Sequence, residues 1–532
     1  MPRLYVLSGP VSVGKSSFGD ALLALTGGSR VSTRKYIQKL RGTADDRKAL
    51  QDAGDELDRE TDGHWVANAV DDFLASNPNT SVLLIDSARI AAQVDGLREK
   101  WGEDVFHIHL HAHDEELERR YLARPIEVRE FATYAEVREN ATEAHVGSLR
   151  QIADVVLDTD HVDPRTLAAT ALDFRYGQGP AKCDKLVDVI VGGQYGSEGK
   201  GNVCAHLADR YDVLMRIGGP NAGHMVKDPF YKYVQLPSGT GSNTNAKILI
   251  GAGSTLWLPQ LRQEIQDLKL DGDRLSIDPQ AMVIEEDDRV IEGGALGSIS
   301  STKQGVGSAS ARKIANRGAI PIFGTPVRLA KDIDELQSFV RDVRAELDHH
   351  FSLGHRVMLE GTQGTLLSIH HGFWPSVTSR ETSAAGCLSD AGIAPHRVNK
   401  VILVVRTYPI RVGGTSGWIG REIKLGDIAD RSGISLEEMR RVEKGTISGV
   451  ERRVAEFDWV QLRRSAELNG ATDIAITFAD YMGVDNRQAT SFGELNPATR
   501  NFIERVERVA RTPVTLISKE FAKDGVIEKG FQ

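Results

Sequence analysis

The sequence predicts an α/β protein with two P-loop-type domains and mainly parallel sheets. Three observations predict this class. Short apolar runs alternate with helical patterns, as in β-α-β units whose right-handed crossovers build parallel sheets. Two glycine-rich turns, at residues 9–16 and 192–201, each follow an apolar strand and precede a helix. Glycine is also frequent, at 52 of 532 residues, which is typical of tight loops that approach a ligand through the backbone.

Composition and charge exclude several classes of protein. The 532 residues are 40% hydrophobic and 26% charged, which is typical of a soluble globular chain with more than one domain. Lys and Arg total 65 against 74 Asp and Glu, a net charge of −9. We therefore expect no nucleic-acid binding through a basic surface.

The cysteines and the apolar runs indicate a compartment. Cys183, Cys204 and Cys387 are too few and too widely spaced for a disulfide framework or a zinc site, and they suit a reducing environment. No apolar run reaches the roughly 18 residues of a membrane span, and the chain starts directly with a strand rather than a signal peptide. We expect a cytoplasmic protein with no membrane partner.

The order of elements predicts two domains, at residues 1–175 and 185–532. In the first, strands are expected at 4–8, 81–86, 105–110 and 154–158, with helices after Gly14, at 114–122 and at 134–151. The stretch 176–184 (YGQGPAKCD) has two glycines, a proline and no periodicity, which predicts a linker. In the second domain, strands are expected at 186–191, 247–250, 356–359, 398–406 and 473–478.

The first glycine-rich turn, GPVSVGKS, matches the phosphate-loop pattern G-x-x-x-x-G-K-[ST] in the strand-to-helix context that the pattern requires. Gly9 and Gly14 let backbone N–H groups converge on a phosphate. Lys15 can reach the β- and γ-phosphates, and the Ser16 hydroxyl can hold Mg²⁺. The turn therefore predicts a site for a nucleoside triphosphate.

Other polar residues of the first domain each have two interpretations. Asp86 ends an apolar strand, as an acidic partner for Mg²⁺ would, or it caps a turn. Arg119, Arg120 and Arg124 resemble the lid arginines of small nucleotide kinases, or they form a solvated helix face. Arg34 is a candidate contact for an acceptor phosphate. The domain thus resembles a P-loop nucleoside monophosphate kinase, and its acceptor stays open.

A second phosphate-cradling turn and three further motifs follow in the second domain. The turn is GGQYGSEGKG at 192–201, in which glycine follows the lysine, so the first pattern is not repeated. Three further motifs come after it. They are GGPNAGH at 218–224, EGTQGTLL at 360–367, and the HG, P and VTS residues within 371–379. In this order they resemble the adenylosuccinate synthetase family over residues 185–520.

The resemblance implies a ligase that joins L-aspartate to a purine nucleoside monophosphate. A nucleoside triphosphate and Mg²⁺ phosphorylate the purine 6-oxygen, and the aspartate amine then displaces the phosphate. The activation is needed because a 6-oxo group leaves poorly, whereas a phosphate ester leaves well. Cationic donors must stabilise the phosphoryl group, and a proton donor must stand near the 6-oxygen.

The resemblance also implies residue roles. It makes His224 the catalytic acid, Lys200 the phosphate-loop lysine and the Gly223 carbonyl a magnesium ligand. The loop positions that bind nucleotide are Gly196, Glu198, Gly199 and Gly201. The positions that hold the purine nucleotide are Asn221, Thr302, Gln363 and Thr378.

Four further positions carry over from the family. Arg317 is implied to reach the nucleotide phosphate of a neighbouring subunit, which predicts a homodimer. Arg452 and Arg453 are implied to grip the aspartate carboxylates. Asp480 is implied to recognise the base of the phosphoryl donor, which is ATP, dATP or GTP.

The chain departs from the family pattern at Ser197, where the family has an aspartate that takes the purine N1 proton and ligates Mg²⁺. A serine hydroxyl is no general base near neutral pH without an activator. It is shorter than aspartate, however, and can accept a hydrogen bond from a 2-amino group. The substitution resembles the phage-type 2-aminoadenylosuccinate synthetase branch, which uses dGMP. We keep Ser197 as the candidate catalytic and metal-ligating position.

Two other departures support the same interpretation. Val450 stands where the family has an arginine beside the ribose, and loss of that contact suits a deoxyribose. Phe478 stands where the family has a lysine in its guanine-recognising motif, which favours ATP or dATP over GTP.

Three functions stay open at this point. The first is a ligase that prefers (d)GMP, the second an ordinary ligase that uses IMP, and the third a nucleotide-binding regulatory protein with an inactive ligase half. We favour the first because of Ser197 and the two departures that support it, and the retention of Lys200, His224, Arg452 and Arg453 argues against the third. The first domain is expected to be a nucleotide kinase that acts on the product made downstream or supplies the substrate.

Overall fold

The computed structural model describes residues 2–43, 47–125, 133–138, 141–176, 184–318, 322–443 and 451–530. The chain divides into two compact units, Met1–Ala181 (unit 1) and Lys182–Gln532 (unit 2). Residues 177–183 of the predicted linker, and Val450, lie outside the described residues. None of the described helices is long and apolar enough to cross a bilayer.

Unit 1 is built on a parallel sheet with the strand order β2-β3-β1-β4-β5. The middle of its central strand, residues 4–7, is apolar because both faces are covered: Leu4 and Val6 pack on one side, Tyr5 and Leu7 on the other. The strands are β1 Arg3–Ser8, β2 Ser29–Val31, β3 Val82–Ile85, β4 Val105–His111 and β5 Val155–Asp158. The helices are α1 Lys15–Thr26, α2 Thr33–Arg41, α3 Arg47–Thr61, α4 Trp65–Ser76, α5 Ala91–Trp101, α6 Asp114–Leu122, α7 Tyr134–Arg138, α8 Ala141–Ser148 and α9 Pro164–Tyr176.

Unit 2 is built on a larger sheet with the order β12-β10-β7-β14-β6-β15-β19-β20-β21, parallel except for the last pair. The strands are β6 Val187–Gly192, β7 Val213–Arg216, β8 His224–Val226, β9 Tyr231–Tyr233, β10 Lys247–Ile250, β11 Thr255–Leu256, β12 Leu275–Ile277, β13 Met282–Val283, β14 Val357–Glu360, β15 Val398–Arg406, β16 Ile410–Arg411, β17 Glu422–Ile423, β18 Arg453–Ala455, β19 Asp473–Thr477, β20 Val514–Ser518 and β21 Val526–Glu528. The helices are α10 Lys200–Leu207, α11 Leu258–Asp267, α12 Glu286–Ala295, α13 Val306–Ala315, α14 Val343–Ser352, α15 Ala384–Ala391, α16 Leu425–Ser432, α17 Leu436–Val442, α18 Trp459–Asn469 and α19 Pro497–Ala510.

The predicted α/β class with mainly parallel sheets is confirmed. The helix predicted at 134–151 corresponds to α7, α8 and a 3₁₀ turn at Leu149–Gln151, and residues 139–140 lie outside the described part of the chain. Strand β2 escaped prediction because only one of its three residues, Val31, is buried. The strand predicted at 473–478 ends one residue early, because Phe478 turns into the left-handed region at φ 58°.

Strand order explains why distant motifs meet. Strands β14, β6, β15 and β19 are neighbours in the sheet of unit 2 and run parallel, so their carboxyl ends lie along one edge. The segments that leave this edge are the glycine-rich turn 192–201 and the stretches that follow Glu360, Arg406 and Thr477. Ligands of open parallel sheets bind in the crevice at this edge.

Candidate active site

The turn between β6 and α10 is held in shape by one of its own carboxylates. Gly196 and Gly199 adopt φ values of 92° and 83°, which favour glycine. Glu198 accepts the N–H groups of Gln194 and Gly196 at 3.0 and 2.8 Å, and its other oxygen accepts from Lys200 Nζ at 2.6 Å. Glu198 is buried and lies outside the lining of the cavity described next. In this conformation it therefore shapes the loop and positions Lys200.

A cavity of about 500 Å³ lies against this turn, large enough for substrates of nucleotide size. It brings together most of the sequence-predicted residues, although they are spread over more than half of unit 2. Those that line it are Gly196, Ser197, Gly199, Lys200, Gly201, Asn221, Gly223, His224, Thr302, Gln363, Thr378 and Arg452.

His224 is anchored through Nδ1 and lacks a hydrogen-bond partner at Nε2 among the described residues. Its Nδ1 contacts Oε1 of Glu360, at the end of β14. Ser238 donates to the same carboxylate from its N–H at 2.7 Å and its hydroxyl at 2.6 Å, and Arg216 Nη1 lies 3.5 Å away. His224 Nε2 is buried without a hydrogen-bond partner among the described residues. Since His224 lines the cavity, Nε2 is the atom that a bound substrate can meet.

Burial and charge decide the ionisation of this pair. Burial opposes the charge on Glu360, but His224 and Arg216 outweigh it and lower the pKa of Glu360 to about 2. Burial and the neighbouring Arg216 lower the pKa of His224 to about 4, although Glu360 pulls it upward. Glu360 is therefore an anion at neutral pH, placed to stabilise an imidazolium whenever His224 takes up a proton.

Two side-chain pairs form the polar wall expected to hold the purine nucleotide. Thr302 Oγ1 donates to Asn221 Oδ1 at 2.8 Å, and Gln363 Nε2 donates to Thr378 Oγ1 at 3.0 Å. Gln363 has a φ of 61°, an uncommon conformation for a residue other than glycine. Such strain tends to occur where the surroundings fix a functional side chain.

A network that sequence reasoning missed connects Arg452 to Arg406. Glu443, fully buried after α17, contacts Arg406 Nη2, accepts from Arg452 Nη1 at 3.3 Å and accepts from the Tyr481 hydroxyl at 2.6 Å. The Arg406 guanidinium lies 3.5 Å from the ring centroid of Phe478. Arg406 and Arg452 both line the cavity, so Glu443 holds two cations at its wall. The only sequence signal was an arginine that ends an apolar strand.

Besides Glu198, two further predicted residues, Arg453 and Arg317, lie away from the lining of this cavity. Arg453 donates to both oxygens of Glu422, at 3.0 and 2.7 Å, and to the Gly417 carbonyl at 2.7 Å. Arg317 is exposed at the end of α13, where its Nε donates to the Ile314 carbonyl at 2.8 Å. In this conformation neither side chain reaches the cavity of its own chain.

Asp480 lies in a second, smaller cavity of about 150 Å³, whose lining includes Phe478, Arg487 and Phe521. Arg487 donates twice to Asp480 Oδ2, at 3.0 and 2.9 Å, whereas Oδ1 is buried with no partner in the described part of the chain. Burial raises the pKa of Asp480 to about 6 against the pull of Arg487. Phe478 lines both cavities, and its ring is nearly parallel to that of Phe521, with centroids 6.1 Å apart.

The phosphate loop of unit 1 also has the expected backbone form. Gly9 and Gly14 have φ values of 139° and 95°, and Gly14 is the N-cap of α1. Lys15 Nζ donates to the carbonyls of Gly9 and Pro10, and Ser16 is exposed in the first turn of α1. The loop therefore presents the N-terminus of α1 and its backbone N–H groups to a phosphate.

Three other residues of unit 1 that the sequence analysis singled out, Asp86, Arg119 and Arg120, have hydrogen-bond partners within the unit. Asp86 Oδ1 accepts from the N–H and the hydroxyl of Thr33, at 3.1 and 3.0 Å, so this oxygen fixes the entry to α2. Arg119 and Arg120 both donate to Glu116, at 2.6 Å. Arg120 also binds Thr159. These contacts match the capping and helix-face interpretations at least as well as the catalytic ones.

Comparisons with known proteins agree with the site in unit 2. The family model for adenylosuccinate synthetase matches residues 189–322 and 327–486. The adenylosuccinate synthetase of Methanocaldococcus jannaschii is 36% identical over 340 residues, covering 62% of this chain and 93% of that protein. The enzyme of Archaeoglobus fulgidus is 38% identical over 338 residues, covering 62% and 94%.

Two solved structures have the same fold. The fully ligated adenylosuccinate synthetase of Plasmodium falciparum is 22% identical with a TM-score of 0.57, covering 65% of this chain and 100% of that chain. The succinoaminodeoxyadenylate synthetase of cyanophage S-2L, solved with dGMP and dATP as an energy donor, is 28% identical with a TM-score of 0.53, covering 65% and 95%. Through unit 2, the chain belongs to the adenylosuccinate synthetase family and is a carbon–nitrogen ligase that uses a nucleoside monophosphate and aspartate.

Proposed function

We propose that unit 2 joins L-aspartate to C6 of a 2-aminopurine nucleoside monophosphate, GMP or dGMP, and so makes a 2-aminoadenylosuccinate nucleotide. The observation that carries this proposal is Ser197, a short neutral side chain in the cavity wall where the family has an aspartate. A 2-amino group is a hydrogen-bond donor that a hydroxyl oxygen can accept and that a longer side chain would crowd. The dGMP bound to the cyanophage relative supports the same preference.

The remaining charge of the cavity wall is compatible with this choice. Among the described lining residues, Glu292 is the only carboxylate. Its oxygens accept the N–H groups of Gly305 at 2.7 Å, Gly307 at 2.6 Å and Ser308 at 3.2 Å, so it caps α13. The polar groups that a purine meets among the described lining residues are therefore mainly hydroxyl, amide and cationic.

The chain's own residues supply most of the chemistry. Lys200 is positioned to neutralise the phosphoryl group that moves to the 6-oxygen, with Arg406 as a second cation in the wall. We assign to His224 Nε2 the delivery of a proton to the departing phosphate once the ring has taken one up, while Glu360 stabilises the imidazolium. Arg452 is the cation for the aspartate carboxylates.

Magnesium fits the donor set. Hard cations take oxygen ligands, and the Gly223 carbonyl and the Ser197 hydroxyl both line the cavity. Both are neutral, so the phosphates of the substrates would balance the charge of the ion. When bound, Mg²⁺ neutralises charge on the transferring phosphoryl group.

For the phosphoryl donor we propose ATP or dATP rather than GTP. Guanine offers two adjacent N–H donors that suit both oxygens of a carboxylate, whereas the adenine 6-amino group needs one acceptor. Arg487 already donates twice to Asp480 Oδ2, and Oδ1 is the unpartnered oxygen. Phe478 and Phe521 supply apolar walls for a base. The dATP in the cyanophage enzyme supports this choice.

We also propose a homodimer in which Arg317 reaches the nucleotide of the partner subunit. Arg317 is exposed, and two large apolar residues close to it are exposed as well, Ile314 at 66% and Ile322 at 76%. Asn316 connects them by accepting the N–H of Ile322 at 2.8 Å. An apolar surface around a cation is typical of a subunit contact.

For unit 1 we propose a nucleotide kinase. The support is the phosphate loop with Lys15 and Ser16 at the N-terminus of α1, on the carboxyl edge of a parallel sheet. The activities of the two units are separable in this proposal, because each unit has its own phosphate loop.

The test incubates the full chain with Mg²⁺, L-aspartate and ATP, and with dGMP, GMP or IMP in turn. The absorbance change of the succinylamino purine reports ligation. Ser197→Asp is expected to lower kcat/KM for dGMP by about 100-fold, because it adds bulk and charge at the 2-amino group. The matched control Ser197→Ala keeps the space and should lose about 10-fold or less. An unchanged dGMP rate in Ser197→Asp would contradict the proposal.

A further inference from the structure

Unit 1 contains a cavity of its own, of about 150 Å³. Its lining includes no residue of the phosphate loop and none of the ligase site. Its walls come from one face each of α2 and α3, from the start of α4 and from the segment that follows β3. The lining residues that carry the argument are Arg34, Ile37, Leu50, Asp58, Trp65 and Arg89.

The cavity lies beside the phosphate loop. Ala88, in the segment after β3, donates its N–H to the Leu7 carbonyl at 2.7 Å, two residues before Gly9. Thr33, which lines the cavity, is held by Asp86 at the carboxyl end of β3. Strand β3 is the neighbour of β1, so the cavity opens on the edge at which the phosphate loop begins. A kinase needs its acceptor at this position.

The walls suit a flat ring. Ile37 and Leu50 are buried apolar side chains of α2 and α3, and Trp65 is buried at the start of α4. Gly54 of α3 also lines the cavity and faces Ile37, since a Cβ there would lie 3.4 Å from Cδ1 of Ile37. These residues give the cavity an apolar surface on which a base can pack.

The cavity contains a hydrogen-bond acceptor, the carboxylate of Asp58, whose orientation is fixed by its neighbours. Asp58 Oδ1 accepts from Trp65 Nε1 at 2.6 Å and from Gln93 Nε2 at 2.9 Å. Gln93 is itself fixed, because its Oε1 accepts the N–H of Arg89 at 2.9 Å. In the described part of unit 1, Asp58 Oδ2 accepts from Gln93 at 3.1 Å and retains capacity for a ligand donor.

The side nearer Asp86 is cationic. Arg34 directly follows Thr33, Arg89 comes three residues after Asp86, and both line the cavity. Guanidinium groups are well suited to phosphate. The cavity therefore offers two arginines for a phosphate and the carboxylates of Asp55 and Asp58 for N–H donors, which matches a molecule that carries both kinds of group.

Building on the proposed kinase activity of unit 1, we propose that this cavity is the acceptor site and that it takes a purine nucleoside monophosphate with an exocyclic amino group. Asp58 accepts from that amino group, and Arg34 and Arg89 hold the monophosphate. An oxygen of this phosphate attacks the γ-phosphorus of the donor, and the bond from that phosphorus to the β,γ-bridging oxygen breaks. Two nucleoside diphosphates result, and no redox partner is consumed.

Asp58, as the hydrogen-bond acceptor of the cavity, decides which base fits. An ionised carboxylate accepts hydrogen bonds and donates none, so it favours guanine or a 2,6-diaminopurine over hypoxanthine, which has no amino group. The proposed substrate of unit 2 and the aminopurine nucleotide derived from its product both carry a 2-amino group. Unit 1 would thus consume a nucleotide from the same reaction sequence.

The test measures phosphoryl transfer from labelled ATP by the full chain to dGMP, 2-amino-dAMP, dIMP and gluconate, the last as a polyol acid. We expect transfer to dGMP and 2-amino-dAMP with a KM about 10-fold or more below that for dIMP. Asp58→Asn should remove this preference. Asp52→Asn, a matched control on an exposed position of α3 outside the cavity lining, should keep it. Transfer to gluconate alone, or a preference unchanged in Asp58→Asn, would overturn the proposal.

Hydrogen exchange separates the site from the kinase activity. In Lys15→Ala, which cannot transfer phosphate, dGMP should still protect the backbone of 50–58 in α3. Protection without transfer in the wild-type chain would refute the kinase and keep the site. Transfer without protection would refute the site and keep the kinase.

Discussion

Glu360→Gln tests how the ligase site holds its histidine. The change keeps the shape of the side chain and removes the charge that faces His224 and Arg216. Removing one partner of a buried ion pair typically costs about 3–5 kcal/mol of unfolding free energy. Arg216 retains carbonyl partners at Ala222, 2.7 Å, and Leu236, 3.1 Å. We therefore expect the lower end, about 3 kcal/mol.

The larger effect is expected on catalysis. In Glu360→Gln, the side-chain amide would donate a hydrogen bond to Nδ1 of His224, whereas Glu360 accepts one. The proton of the neutral imidazole would then lie on Nε2. No anion would remain to stabilise the imidazolium. General acid–base groups contribute about 10²–10⁴-fold, so kcat for ligation should fall by about 100-fold or more. The KM for aspartate should change little, because no residue assigned to aspartate contacts Glu360.

The assay is steady-state ligation with the best nucleotide of the wild-type chain, after folding is checked by circular dichroism. Ser238→Ala is the matched control, since it removes one hydroxyl donor to Glu360, at 2.6 Å, and leaves the charge. It should lower kcat by about 10-fold or less. A folded Glu360→Gln variant with kcat within about threefold of wild type would refute this role.

Three other predictions follow from the site. Lys15→Ala should abolish phosphoryl transfer by unit 1 and leave ligation unchanged; loss of both activities would show that the units are coupled. Arg452→Lys should raise the KM for aspartate about 10-fold or more, because a lysine cannot keep the contact with Glu443 and still present a planar pair of donors; an unchanged KM would exclude Arg452 from the aspartate site. The pKa of Asp480 is raised to about 6, so its acceptor carboxylate is lost as pH falls through that value. The KM for the donor nucleotide should rise below pH 6, and Asp480→Asn should flatten that dependence; a wild-type KM that stays constant between pH 7 and 5 would contradict it.

The phosphate loops were the most predictable part of the site. Gly9, Gly14, Gly196 and Gly199 all have the positive φ that their positions in the two motifs require. Here a short sequence determines the local backbone, because residues other than glycine are sterically disfavoured at a positive φ. Strand Val398–Arg406 was predicted to the residue, since its buried part contains the continuous apolar run Val401–Val405 that is typical of a parallel strand.

The partners of the charged residues were less predictable. Glu443 binds Arg406, which is 37 positions away, and nothing local in either segment indicates the other. Glu360 is the first residue of the predicted EGTQGTLL motif. Its contact with His224, however, spans 136 positions and depends on strand order. That Glu198 binds nucleotide stays a prediction, and its contacts with its own loop were not foreseen, because they depend on two backbone N–H groups converging on its carboxylate.

We propose that the side chain at 197 decides which purine this enzyme uses, and the ratio of kcat/KM for dGMP to that for IMP in the wild-type chain tests this directly. With Mg²⁺, L-aspartate and ATP at saturation, the guanine nucleotide should be favoured by about 10-fold or more. Turnover of IMP with no turnover of dGMP or GMP would contradict the account.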